Sequence, residues 1–232
     1  MVLGYDTYHD SLQKDKSVRA LVASITKTFT QFISSAEVHS NQSELTDRMT
    51  PGIVKAIRRD GVGDGQIQYA LEHEVAAIKA CFKQNGMEGV KLTYIIVSKR
   101  INPRFFRNNG KLSNPPSGTV VDNCVTLHER HNVFLASQSV CQGTVNPTSY
   151  NGVRDTSGLK PEHLQKLTYK LTLLYYSWPG IVRVPALCQY GHKLALLAGD
   201  SLNWEQMQAR GKTAWDSSPQ AFSGVTESAS HV

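Results

Sequence analysis

Short runs of apolar and β-branched residues alternate irregularly with longer stretches of helical periodicity along this chain of 232 residues. The short runs predict strands at residues 1–5, 18–25, 90–97, 119–126, 133–139 and 148–153. Apolar residues at spacings of three and four predict helices over residues 66–83, 161–177 and 185–202. Because strands and helices mix without strict βαβ alternation, we predict an α/β fold with a mixed sheet flanked by helices.

The composition favours a folded intracellular domain with a polyanionic partner. Hydrophobic residues make up 40% of the chain, which predicts a packed core. A net charge of +6 favours a polyanion but does not separate a nucleic acid from a membrane surface. The four cysteines form no C-x-x-C pair, which favours reduced cysteines over a zinc site. The sequence also has no signal-peptide pattern and no apolar run long enough to span a bilayer.

Two acidic residues and one histidine are candidates for chemistry. Asp6 ends an apolar run, so it is either a metal ligand or a carboxylate in a turn. Asp60 lies among three alternating glycines that fit neither a dinucleotide fingerprint nor a P-loop, which leaves a ligand site or an Asp-Gly turn. His192 shares a helical stripe with the small residues Cys188, Ala195 and Gly199. That stripe leaves room for a close partner, and the alternative is an ordinary packed or exposed histidine.

Residues 99–111 form a basic segment without acidic residues. Five cations surround Phe105 and Phe106; they are Lys99, Arg100, Arg104, Arg107 and Lys111. Basic groups interleaved with aromatic rings suit phosphates and stacked bases. The alternative interpretation is a solvated loop.

Several strings, taken in order, resemble the PIWI domain of the Piwi subfamily of Argonaute proteins. The first are Gly4-Tyr5-Asp6-Thr7-Tyr8-His9-Asp10, Arg59-Asp60-Gly61-Val62-Gly63-Asp64-Gly65-Gln66 and Asn102-Pro103-Arg104-Phe105-Phe106. The longest are Leu174-Tyr175-Tyr176-Ser177-Trp178-Pro179-Gly180 and Cys188-Gln189-Tyr190-Gly191-His192-Lys193-Leu194-Ala195. The resemblance covers about residues 1–202, and it implies a ribonuclease H-like fold.

The resemblance also implies Mg²⁺-dependent cleavage of RNA that is paired to a small, piRNA-type guide RNA. The family's site is an Asp, Glu, Asp, His set, which corresponds to Asp6, Glu44, Asp60 and His192 in this chain. Asp6, Asp60 and His192 would hold two Mg²⁺ ions, with Mn²⁺ as a substitute, and Glu44 would close the site from a loop. Two ions on shared carboxylates suit an in-line displacement at phosphorus.

Further residues match positions that bind RNA in the family; they are Lys99, Arg100, Arg104, Arg183 and Gln189. They would neutralise phosphates and leave sequence choice to base pairing. The implied partners are a guide RNA, its complementary target RNA and silencing-complex proteins, with no membrane. The implied setting is the germline, in the cytoplasm at perinuclear granules or in the nucleus.

The chain departs from the family pattern in three places. It lacks the N-terminal, PAZ and MID regions, it lacks a helix and most of a strand near residue 57, and residues 203–232 resemble a disordered tail rather than the family's C-terminus. A missing strand would disturb the position of the Asp60 side chain, and metal sites tolerate only small errors in the position of a ligand. Three hypotheses therefore stand: a guide-directed endoribonuclease, a non-cutting RNA-binding silencing module, and a truncated inactive product.

Overall fold

A computed structural model describes residues 1–9, 17–26, 28–39, 56–58, 70–84, 86–123 and 131–201. Eight of the described strands form one sheet, in the order β3-β2-β1-β4-β5-β10-β9-β8, and β6 and β7 form a separate hairpin. The strands are β1 Leu3–His9, β2 Ser17–Ser24, β3 Phe32–His39, β4 Ala56–Arg58, β5 Thr93–Ser98, β6 Arg107–Asn108, β7 Leu112–Ser113, β8 Thr119–Val121, β9 His131–Ala136 and β10 Thr148–Asp155. The helices are α1 Val75–Gln84, α2 Pro161–Thr172 and α3 Ala186–Ser201, and a π-helical turn, Ala70–Glu74, precedes α1.

The centre of the sheet is parallel and its flanks are antiparallel. Strands β1, β4 and β5 run in the same direction, with β4 between the other two. Each of the remaining neighbours in the large sheet pairs antiparallel. The predicted α/β fold with a mixed sheet is therefore confirmed. Because the three strands are parallel and in register, Tyr5, Arg58 and Ile96 lie side by side across the centre of the sheet.

Helices cover both faces of the sheet. Tyr94 and Ile96 of β5 face α1, where Ile78 and Phe82 join them in one apolar cluster. The alternate residues of β5 face the other way, as the two-residue period of a strand requires. They pack with Leu171 of α2 and with the start of α3 in a second apolar cluster. The site described below lies on the α3 face.

The first strand is longer than the sequence predicts. The apolar run predicts a strand over residues 1–5 with Asp6 at its end, but β1 continues to His9, and every residue from Leu3 to His9 has a partner in β2. Asp6 is therefore inside a strand, and its interpretation as a strand-end carboxylate is wrong. The predicted pairing of residues 18–25 with the first strand is confirmed by the antiparallel β1–β2 ladder.

One long strand was not predicted. Residues 32–39 form β3 at the edge of the sheet, although they lie in a stretch without a clear apolar pattern. Ile33 and Ser34 on this strand are exposed, so the usual alternation of buried and exposed residues is weak here. All eight residues of β3 are paired with β2, and Phe32 and Ala36 pack against apolar clusters.

The helix over residues 161–177 begins as predicted and ends early. Pro161 occupies the first helical turn of α2, where a missing N–H has no consequence. The helix ends at Thr172, whose carbonyl accepts a bond from the N–H of Val182. Leu173 and Leu174 then continue as exposed loop residues.

Strand β4 occupies the position at which the sequence predicted a missing or shortened strand. It has three residues, and its Cα partners are in β1 on one side and β5 on the other. Residues 202–232, which include the predicted tail, lie outside the described residues. Among the described helices, none has the length and apolarity that a membrane span requires.

Candidate catalytic and metal site

Asp6 is a buried carboxylate in the middle of the sheet. The residue is 3% exposed and lies opposite Ala20 of β2. Its Oδ1 accepts the N–H of Thr7 at 2.9 Å. Its Oδ2 contacts Nδ1 of His192 at 2.8 Å, across 186 residues of sequence. The structure therefore brings together two of the four residues proposed for the catalytic set.

Helix α3 delivers the imidazole by lying close to the sheet. It packs along β1 and β2, with Ala195 completely buried against Val18 and Ala20. The backbone of Gly191 is also close, since a Cβ built there would lie 3.5 Å from the backbone N of Asp6. The predicted stripe of small residues is thus the face that contacts the sheet. The room that it leaves for a close partner of His192 is filled by Asp6.

The Asp6–His192 pair has one buried and one accessible member. The Asp6 side chain is 5% exposed, whereas the His192 side chain is 39% exposed. An ionised carboxylate accepts hydrogen bonds and does not donate them, so the tautomer that fits this contact has its proton on Nδ1 of His192. In this neutral tautomer, Nε2 carries no proton. This pairing supplies polar contact to a carboxylate whose burial would otherwise be strongly unfavourable.

Strand β4 leads towards this pair from the neighbouring position in the sheet. Arg58, its last residue, is the Cα partner of Tyr5, which immediately precedes Asp6. Asp60 is two residues beyond Arg58 in the sequence but lies outside the described residues, as does Glu44. The predicted roles of Asp60 and Glu44 remain predictions.

The chemistry of the described pair fits a divalent metal without completing its shell. Carboxylate oxygens are the ligands that Mg²⁺ and Mn²⁺ prefer, and an imidazole nitrogen is a common ligand of transition metals. Within the described ranges, no three His, Cys, Asp or Glu side chains converge. A metal held by Asp6 and His192 would therefore need further donors.

The basic segment begins two residues beyond the level of Asp6 in the sheet, because Tyr5 and Ile96 share Arg58 as their Cα partner. Strand β5 ends at Ser98, and Lys99 and Arg100 follow it directly. β1 and β5 are two positions apart in the sheet, which corresponds to about 10 Å. Arg104 lies further along and is exposed, but its Nη1 donates to the carbonyls of Ile101, Asn102 and Pro103 within its own loop.

Arg183 and Gln189, the other predicted RNA-binding residues, flank the start of α3. Nη2 of Arg183 donates to the carbonyls of Lys99 and Pro147, so this guanidinium ties the end of β5 to the segment before α3. Gln189 is half-buried and lies one helical turn before His192. Its backbone N–H donates to the carbonyl of Pro185.

An aromatic group beside the site was not singled out from the sequence. The rings of Tyr175 and Tyr190 lie 5.1 Å apart, and Nζ of Lys193 is 5.5 Å from the Tyr175 ring. The Tyr190 hydroxyl accepts the N–H of Tyr176 at 2.8 Å, and burial raises the pKa of Tyr190. These contacts hold the loop that follows α2 against α3. The Tyr176 side chain in that loop is 97% exposed. Helical spacing alone cannot show the aromatic group, because Tyr175 lies in a loop.

Comparison with known proteins identifies the family. A family model described as the Piwi domain matches residues 56–203. The chain belongs to the Piwi domain family. Among curated Piwi relatives, Piwi-like protein Siwi of Bombyx mori is 47% identical over 88% of this chain. Piwi-like protein 1 of Danio rerio is 43% identical over the same share. The chain spans about a quarter of the length of these relatives (25% and 26%).

Solved structures support the ribonuclease H-like architecture of this Piwi domain. The crystal structure of Drosophila Piwi matches 85% of this chain, and this chain covers 29% of it, with a TM-score of 0.71 and 36% sequence identity. The crystal structure of Kluyveromyces polysporus Argonaute with a guide RNA matches 88% of this chain, which covers 29% of it, with a TM-score of 0.72 and 25% identity. The predicted family and the predicted fold are both confirmed.

Proposed function

We propose that this Piwi domain cleaves RNA that is base-paired to a small guide RNA. The observation that carries the proposal is the contact between Asp6 of β1 and His192 of α3, at 2.8 Å and across 186 residues. A buried carboxylate is costly to a fold, so its retention beside an accessible imidazole favours a chemical role. Membership of the Piwi family supports guided silencing as that role, and the Argonaute relative solved with a guide RNA supports a nucleic-acid partner.

The proposed site combines Asp6 and His192 with Asp60 and Glu44. These residues would hold two Mg²⁺ ions, which when bound would polarise the scissile phosphate and lower the pKa of an attacking water. Asp6 contributes a buried carboxylate from a residue that is paired with Ala20 of β2. His192 contributes an imidazole whose orientation is fixed by its Nδ1 hydrogen bond to Asp6. A fixed donor set favours catalysis because little reorganisation is needed when the substrate binds.

We propose that the basic edge of the sheet binds the guide–target duplex. Lys99 and Arg100 follow β5 at the edge that Asp6 approaches, so phosphates held there would lie near the carboxylate. The predicted contacts of Arg104, Arg183 and Gln189 belong to the same proposal. The small RNAs would be of the piRNA type, and the domain would act in the germline, at perinuclear granules in the cytoplasm or in the nucleus.

Cleavage of a labelled target RNA tests the proposed function. The full chain, loaded with a guide RNA, should cut a complementary target in Mg²⁺, and Asp6→Ala should reduce the rate by at least about 10³-fold, as loss of a metal-binding carboxylate removes a main stabilising group. Asp200→Ala is the matched control because Asp200 is an exposed carboxylate on α3, the helix that carries His192. Duplex binding without cleavage, unchanged by Asp6→Ala, would instead identify a non-cutting silencing module.

A further inference from the structure

The backbones of β1 and α3 touch at Gly4. A Cβ built on Gly4 would lie 2.3 Å from the backbone C of Leu187, 2.4 Å from its carbonyl O and 2.6 Å from the backbone N of Cys188. These are backbone atoms, so no change of side-chain rotamer can relieve the overlap. Gly4 is not among the glycines with positive φ, so the contact rather than the backbone conformation requires glycine here.

The Gly4 contact and the Asp6–His192 contact lie next to each other where α3 packs across β1. Gly4 and Asp6 are two residues apart on β1 and share the face that α3 covers, a separation of about 6.7 Å along a strand. Cys188 and His192 are four residues apart on α3, a separation of about 6 Å along a helix. Because these two distances agree, α3 meets β1 at two matching points. The separation of the α3 backbone from β1 at Gly4 therefore also sets the distance between His192 and Asp6.

We propose that Gly4 is a positioning residue for the Asp6–His192 pair. A methyl group at this residue requires contacts of about 3.5 Å in place of 2.3 Å, so the first turn of α3 must rise by roughly 1 Å. A rise of that size stretches the 2.8 Å bond of His192 to beyond hydrogen-bonding range. The consequence for catalysis rests on the proposed function, whereas the consequence for the pair does not.

Other glycines at this interface do not set the distance in the same way. A Cβ on Gly191 would make an ordinary contact, with its nearest atom at 3.5 Å. A Cβ on Gly199 would meet the ring of Tyr8 at 2.8 Å, and a ring at the end of a side chain can turn aside. Gly4 differs because its neighbours belong to the helix backbone itself.

The tautomer of His192 in Gly4→Ala tests the proposal. In the metal-free wild-type chain, ¹⁵N NMR of the imidazole should show the proton on Nδ1, where Asp6 accepts it. Gly4→Ala should move the tautomer toward the Nε2–H form that a free imidazole prefers, as Asp6→Ala should. Mn²⁺ affinity, measured by calorimetry with Mn²⁺ alone, should fall at least about tenfold, the usual effect of losing the support of a metal ligand.

Gly152→Ala is the matched control. It also places a methyl on a glycine of the sheet, 3.2 Å from Cβ of His131, but on β10 and away from α3. It should leave the His192 tautomer and the Mn²⁺ affinity unchanged, which separates positioning from general loss of stability. If Gly4→Ala does not fold, Cys188→Leu provides a second probe, because it enlarges a buried side chain on the same first turn of α3. We expect the same change of tautomer.

The possible outcomes test the positioning role of Gly4 and the proposed nuclease site separately. A folded Gly4→Ala chain that keeps the Nδ1–H tautomer and the wild-type Mn²⁺ affinity would overturn the positioning role. A folded Cys188→Leu chain that keeps that tautomer would overturn it equally if Gly4→Ala is unfolded. A change of tautomer in Gly4→Ala together with a wild-type chain that binds no Mn²⁺ would support the positioning role and contradict the proposed nuclease site.

Discussion

At the scale of single residues, the Asp6–His192 pair explains why an acidic group lies in a central strand. Asp6 is 3% exposed and receives bonds from the N–H of Thr7 and from His192. An uncharged residue would be easier to bury there, so we expect the carboxylate to lower stability, a cost that the proposed catalytic role of Asp6 would explain.

Asp6→Asn should therefore not destabilise the metal-free chain. The amide keeps the size of the carboxylate, its oxygen can accept the Thr7 N–H, and its nitrogen can donate to His192 in the other tautomer. We expect the free energy of unfolding in urea to stay equal or to rise by up to about 1 kcal/mol, while cleavage is lost. A loss of more than about 2 kcal/mol would mean that the charge is a structural requirement.

The convergence of Asp6 and His192 was predictable from a resemblance but not from local pattern. Helical spacing predicted a stripe of small residues around His192, and the structure shows that stripe on the sheet. Nothing in the spacing of Asp6 or His192 indicates a partner 186 residues away, because that contact depends on the register of a helix crossing. The contact of Gly4 with the Leu187 backbone was missed for the same reason.

At the scale of elements, the ends of β5 and β10 are joined by polar contacts at Asp155. The Asp155 carboxylate accepts bonds from the hydroxyls of Thr93 and Ser157, each at 2.7 Å, and from the N–H of Ser157 at 2.9 Å. Burial by itself would raise the pKa of Asp155. The bonds from Ser157 and Thr93 outweigh that effect, so the pKa is lowered overall.

This lowered pKa makes Asp155 a source of acid-sensitive stability. The contribution is fully present above the unfolded-state pKa of about 3.9 and is lost as the pH falls through the lower folded-state value. The free energy of unfolding should fall less steeply below about pH 4 in Asp155→Asn than in the wild-type chain. The difference should be small because Asp155 is largely exposed. Urea unfolding between about pH 2 and pH 5 measures the effect. An unchanged pH profile would refute the role, and Asp200→Asn controls for loss of a carboxylate.

The strands differ in how far sequence could predict them. Strand β5 is buried on both faces, and its run of β-branched residues was identified from composition. Edge strand β3 carries exposed Ile33 and Ser34, so its pattern gave no indication of pairing. Strand β4 has three residues, which is too short for any periodicity to be read.

At the scale of the whole molecule, the net charge of +6 fits a domain that binds a polyanion. The parallel strands β1 and β5 run in the same direction, so Lys99 and Arg100 follow β5 only a short distance beyond the level of Asp6. This arrangement follows from topology, which neither the net charge nor the motif order specifies.

The joint substitution Lys99→Glu with Arg100→Glu should weaken binding of a guide–target duplex. Each lost phosphate contact removes roughly one released counterion, so the slope of log affinity against log salt should become shallower by about one per contact. Fluorescence anisotropy across a salt series measures this slope. Lys166→Glu with Lys170→Glu is the control, because both are exposed cations on α2 and the net charge changes by the same amount. An equal effect of this control would show that net charge, rather than the end of β5, governs binding.

A Mn²⁺ titration of the full chain and of three single variants tests the central claim most directly. If Asp6, Asp60 and His192 share one metal site, calorimetry should detect Mn²⁺ binding to the wild-type chain. Asp6→Ala, Asp60→Ala and His192→Ala should each weaken that same binding event by at least about tenfold. Wild-type affinity in Asp6→Ala or in His192→Ala, with the fold retained, would contradict the account.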